Sequence, residues 1–135
     1  MIDKLEIQET ISVYHEGASK ADYDQMMTTF LPDGIWEVPA MELRSQGIDD
    51  IRATMTELMA PIEYLTQINA PAIITVDGDT ASARSLIREC AKFRDRPGLM
   101  DVVGQFNDEL RRTPGGWRFA QRTFTILGTQ TLDGR

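Results

Sequence analysis

Residues 11–36 read ISVYHEGASKADYDQMMTTFLPDGIW, and the order of elements within this stretch decides the fold. Ile11, Tyr14 and Ala18, extended backward by Ile7, recur at helical spacing and predict a helix from Lys4 to Ala21 with one apolar face. Asp22 can cap a second, short helix that turns Met26, Met27 and Phe30 inward. Pro32-Asp33-Gly34 stops it. Ile35-Trp36-Glu37-Val38 then alternates as a strand does.

Outward from this opening, Met41 to Gln46 offers a hairpin partner for that strand. Ile51, Met55, Leu58 and Ile62 step by helical intervals, with Pro61 marking the end of a third helix. The remainder reads as sheet. Leu65 to Val76 is rich in β-formers, with Ile68, Ala70, Ala72 and Ile74 inward by alternation. Asp77-Gly78 makes a hairpin turn into a long strand, Thr80 to Phe93. Val102 to Arg112 and Trp117 to Leu127 close the chain as a hairpin around Pro114-Gly115-Gly116. The predicted class is α+β: a cone-shaped roll of three N-terminal helices on a curved antiparallel or mixed sheet. Residues 1–128 form one domain and 129–135 a flexible tail. The mouth of such a cone suits a small molecule.

Composition narrows the function. The chain has 135 residues, 14 Lys+Arg and 21 Asp+Glu, hence a formal charge of −7. That surplus disfavours nucleic acid, whose phosphates need a basic surface, and anionic membrane surfaces alike. One Cys and one His are too few for a structural zinc, so no metal is expected. No apolar leader opens the sequence, which points to the cytoplasm. The chemistry therefore falls to carboxylates, hydroxyls, amides and His15.

Four stretches carry a resemblance: residues 11–30, the LPDGIW strand entry at 31–36, the VDGDTA hairpin at 76–81 and FNDELRRTPGGW at 106–117. In order and spacing the chain resembles the nuclear transport factor two-like, cystatin-like cone. It is most similar to the SnoaL-like branch, which includes polyketide cyclases, scytalone dehydratase, bile-acid dehydratase and a dehydrochlorinase. The dehydratase-type members imply a Tyr on the first helix, an Asp five residues later, and a His on the strand after the third helix. Tyr14 matches the first. The Asp position falls on Ser19 and the His position on Gln67 or a neighbour, so the Asp–His dyad is absent. Fold alone does not transfer the activity.

Each candidate has two readings. The Tyr14 phenol either stabilises an oxyanion or is a core tyrosine with a satisfied hydroxyl. His15, about 100° round the helix from Tyr14, either reaches the cone mouth or is a surface or helix-packing residue beside Glu16. Glu89 follows Ala81, Ala83, Ser85 and Ile87 on the apolar face of its strand and would be a desolvated acid or base, unless a bulge turns it to water. Asp108 shares a face with Trp117 and Phe119, as a buried acid or a structural hydrogen-bonding group. Arg122 is either an anion clamp or, sharing a face with Arg118 and Asn107 opposite Trp117 and Phe119, a solvated residue. Gln67 and Asn69 point outward by alternation and inward by the family comparison, and a bulge near Pro71 would reconcile the two. Met26, Met27, Met55, Met59 and Met100 with Trp36, Tyr64 and Phe106 either line an adaptable pocket or fill the core. Ser19, Gln67 and Asn69 would supply polar contacts to a ligand.

Two functions follow. One is a cofactor-free lyase, isomerase or cyclase acting by acid–base chemistry on a hydrophobic, oxygenated, aromatic or polycyclic small molecule. The other is a non-catalytic binder, or an assembly protein like the small subunits of ring-hydroxylating oxygenases. Phe124 and Ile126, read as outward on the last strand, suggest a homo-oligomer, dimer or trimer.

Overall fold

A computed structural model describes residues 1–133 of the chain. The first helix, α1 (Ile2–Lys20), buries Ile7, Ile11, Tyr14 and Ala18, the stripe that its spacing predicts, and adds His15. It ends at Ala21, whose left-handed φ of 54° lets the chain reverse. The carboxylate of Asp22 then accepts from the Gln25 N–H at 3.0 Å and caps α2 (Tyr23–Met27). Gly17 lies where the two helices touch: a Cβ there would stand 2.8 Å from Met26 Cγ.

The strands are β1 (Phe30–Val38), β2 (Leu43–Gln46), β3 (Ile62–Asn69), β4 (Ile73–Asp77), β5 (Thr80–Phe93), β6 (Leu99–Thr113) and β7 (Gly116–Leu132). Helix α3 (Ile48–Met59) sits between β2 and β3 and buries Ile51 and Met55. One mixed sheet runs in the order β2-β1-β7-β6-β5-β3, with β4 also on β5. All pairings are antiparallel except β1 with β7. This is the α+β architecture expected. Strands of 14, 15 and 17 residues must twist and coil, so the sheet wraps the helices.

Two local departures place side chains where alternation does not, and the last strand runs further than expected. Between Leu110↔Phe119 and Glu109↔Gln121, β7 carries one extra residue, Ala120. The bulge reverses the parity of everything after it, because the side-chain period is two. Arg122 therefore turns inward and is fully buried, not solvated, opposite Asp108. The parity change also brings Phe124 and Ile126 to the concave side, so they are not outward residues and do not support self-association. In β3, Leu65, Gln67 and Asn69 face in while Tyr64 and Ile68 are exposed. The break at Ala70-Pro71-Ala72 then resets the phase so that Ile74 faces in on β4. Finally, the expected tail is strand through Leu132, which pairs with Leu99. The remainder of the expected tail, Gly134 and Arg135, lies outside the described residues.

Candidate functional site

Between the concave face of the sheet, α1 and α3 lies a cavity of about 670 Å³. Its size falls within the roughly 300–1,000 Å³ of small-molecule sites. Trp36, Met55, Met59, Leu65, Val102, Phe106, Phe124 and Ile126 give it an apolar wall. Tyr14, Gln67 and Glu89 supply polar groups, with Thr54, Glu57 and Thr129 also on the lining. Of the expected ligand contacts, Trp36, Met55, Met59, Gln67 and Phe106 lie on this wall. Met27 is buried core instead, and Tyr64 is 53 % exposed on the outer side. Ser19 is spent on architecture: its Oγ accepts the Gln67 backbone N–H at 3.1 Å. Asn69 accepts from the Ser85 hydroxyl at 3.3 Å, away from the cavity lining.

Glu89 faces inward as its strand's alternation predicts. One carboxylate oxygen accepts from Gln67 Nε2 at 2.7 Å. The other makes no hydrogen bond among the described residues and opens on the cavity. Burial raises its pKa above the usual carboxylate range, with the Gln67 hydrogen bond pulling partly back. Tyr14 is close enough to feel that charge. Burial, chiefly, pushes its phenol up to about 12. Its hydroxyl accepts from Trp36 Nε1 at 3.0 Å, and its own proton has no protein acceptor among the described residues. Tyr14 is thus a core residue and a cavity donor at once.

Beneath Gln67 the polar groups continue. His15 Nδ1 lies 2.7 Å from Gln67 Oε1, and its Nε2 lies 3.5 Å from Arg122 Nη1. Arg122 donates to both oxygens of Asp108, at 2.7 and 3.2 Å. Its guanidinium also rests on the faces of Tyr14, Phe106 and Phe119, with centroids 3.9 to 4.4 Å away. Asp108 is consequently a partner of Arg122 under the cavity floor and no ligand contact. His15 is buried rather than at the surface, and burial, then the Arg122 charge, push its pKa down to about 3. So low a pKa makes it a weak base, and both ring nitrogens already face partners, Gln67 and Arg122, which leaves none for a substrate proton. The buried Asp108–Arg122 pair was legible only as a cross-strand match of opposite charges, and only once the Ala120 bulge is allowed. Among the described residues, no group of three or more His, Cys, Asp or Glu could hold a metal ion, and no helix is long and apolar enough to cross a membrane.

A family model described as a SnoaL-like domain matches residues 1–123. The chain belongs to the SnoaL-like domain family. A Mycobacterium tuberculosis protein, Rv2910c, is 26 % identical over 124 residues, spanning 91 % of this chain and 84 % of its own length. A candidate aromatic ring hydroxylase from Novosphingobium aromaticivorans superposes with a TM-score of 0.88 at 25 % identity, covering 96 % of this chain and 92 % of that one. A hexachlorocyclohexane dehydrochlorinase, LinA type 3 from Novosphingobium barchaimii, gives 0.87 at 14 % identity, with 96 % and 89 % covered. Such likeness at low identity establishes the fold, the cystatin-like cone, and leaves the chemistry to the site.

Proposed function

We propose that this SnoaL-like protein is a cofactor-free enzyme of lyase or isomerase type, with a hydrophobic oxygenated small molecule as its substrate. One observation carries the reading: a carboxylate with a free oxygen, Glu89, and a phenol with a free proton, Tyr14, share an otherwise apolar cavity. Glu89 takes a proton from carbon beside a carbonyl or phenol oxygen. Tyr14 donates a hydrogen bond to the oxyanion that develops, and its high pKa keeps the proton on the phenol. The names of the structural neighbours are in keeping with this, since dehydrochlorination also couples proton abstraction to loss of a leaving group.

The test is enolisation of a neutral bicyclic ketone such as 2-tetralone, followed by NMR as exchange of its α-protons in D₂O. The wild type should accelerate exchange over buffer. Glu89→Gln should lose about 10²-fold or more of that acceleration, and Tyr14→Phe a comparable amount. Chemical-shift changes on cavity residues without any exchange would favour the non-catalytic binder. That second reading draws on the missing dyad, since by the family resemblance the Asp position falls on Ser19 and the His position on Gln67 or a neighbour.

A further inference from the structure

From the geometry we infer that Arg122, His15 and Gln67 form a one-way hydrogen-bond chain that presents a donor to Glu89 and so holds it in its proton-accepting form. The inference rests on the reading of Glu89 as a base, and it assigns positioning roles to three residues that touch no substrate. The polarity follows from one end. A guanidinium can only donate. Arg122 is anchored by two bonds to Asp108 and by three aromatic faces, so Nη1–H points at His15 Nε2, which must accept. A neutral imidazole with Nε2 accepting carries its proton on Nδ1. That Nδ1–H meets Gln67 Oε1, which fixes the amide orientation and aims Nε2–H at Glu89 Oε1.

Reversing the amide would turn its oxygen toward the carboxylate and its N–H toward His15 Nδ1. His15 would then hold its proton on Nε2, against the Arg122 N–H. The reversed chain fits only a protonated Glu89 and sets two donors against each other. Arg122 therefore biases Glu89, two side chains away, toward the carboxylate. The other ionisable groups of the elements around Glu89 are Tyr14 of α1, Glu57 of α3 and Asp108 of β6. On the outer side of the sheet stand Arg88 and Asp101, which pair with each other, and beside them Cys90. Among the described residues none of these hydrogen-bonds to Glu89, whose one protein donor is Gln67.

The experiment follows the Glu89 carboxyl carbon by NMR through a pH titration of the resting protein, so it reads the chain whether or not any substrate turns over. Failure of the ketone assay would overturn the proposed function, whereas this titration bears on the chain alone. Gln67→Leu should raise the Glu89 midpoint. His15→Phe, which keeps a ring against Tyr14 and Phe106, should also raise it. The double variant should go no higher than Gln67→Leu, because both changes break the same chain. In the wild type, ¹⁵N shifts of His15 should show a protonated Nδ1 and a bare Nε2 from pH 5 to 9. A His15→Phe midpoint equal to wild type, additive shifts in the double variant, or a proton on Nε2 would each overturn the inference. Should His15→Phe fail to fold, the tautomer measurement on the wild type decides it.

Discussion

Acidification from pH 7.5 to 5.0 should destabilise the native state by about 2 kcal/mol through His15 alone. The imidazole is 4 % exposed, and burial together with Arg122 holds its folded pKa at about 3. In the unfolded chain it returns to roughly 6.5. Between those values the unfolded state binds a proton that the folded state refuses. Stability is therefore complete above about 6.5 and is lost as pH falls toward 3. Each pH unit below 6.5 costs about 1.4 kcal/mol, and pH 5.0 lies about one and a half units below, which gives the figure. Carboxylates also titrate in this range, so the quantity to measure is a difference. Urea unfolding of the wild type and His15→Gln at both pH values isolates it, since His15 is the only histidine. The wild type should lose about 2 kcal/mol more than the variant over this interval. Equal losses, or a folded-state imidazole that titrates near 6.5, would refute the assignment of His15 as a buried neutral group.

Arg122→Met should cost about 3–5 kcal/mol in urea unfolding, because Asp108 is left buried without its partner. Adding Asp108→Leu should restore part of that loss, and a still less stable double variant would contradict it. Glu89→Gln should gain stability relative to wild type as pH rises from 4 to 8. The cost of ionising a carboxyl whose folded pKa is raised is absent below its unfolded value and grows as pH passes up through the folded one, so a constant gap would show that Glu89 is not desolvated. The expected homo-oligomer now has a different basis: Ile68, Leu86 and Val103 are exposed on the outer sheet face. Light scattering at micromolar concentration should return a dimer or trimer, with Leu86→Glu plus Val103→Glu shifting it to the monomer, and a monomeric wild type ends the proposal.

Caps, turns and uninterrupted stripes are legible in the sequence and appear in the structure. The α1 stripe, the Asp22 cap and the Asp77-Gly78 turn are local devices, each set by neighbours within a few residues. Their order along the chain suffices for the α+β cone. Glu89 was also legible, because β5 keeps strict alternation from Ala81 to Glu89. The rest of the site was not. Straight alternation through Ala120 sends Arg122 to solvent, and a single extra residue inverts that parity. The same inversion moved Phe124 and Ile126 from the outer face to the cavity wall. Gln67 was ambiguous until the Ala70-Pro71-Ala72 break showed where β3 ends and its phase is lost.

The acidic composition and the element order, which need only the chain itself, determined the fold class and the kind of chemistry available to this protein. Which polar groups meet was decided by tertiary structure alone. His15 lies 52 residues from Gln67 and 107 from Arg122 in the chain, and the three are joined only when α1 lies across the concave sheet. Burial then sets their charge states: desolvation makes the one histidine a neutral link and makes Glu89 a carboxylate of raised pKa. Neither property belongs to a residue type. Both arise from the low-dielectric interior that the folded sheet encloses.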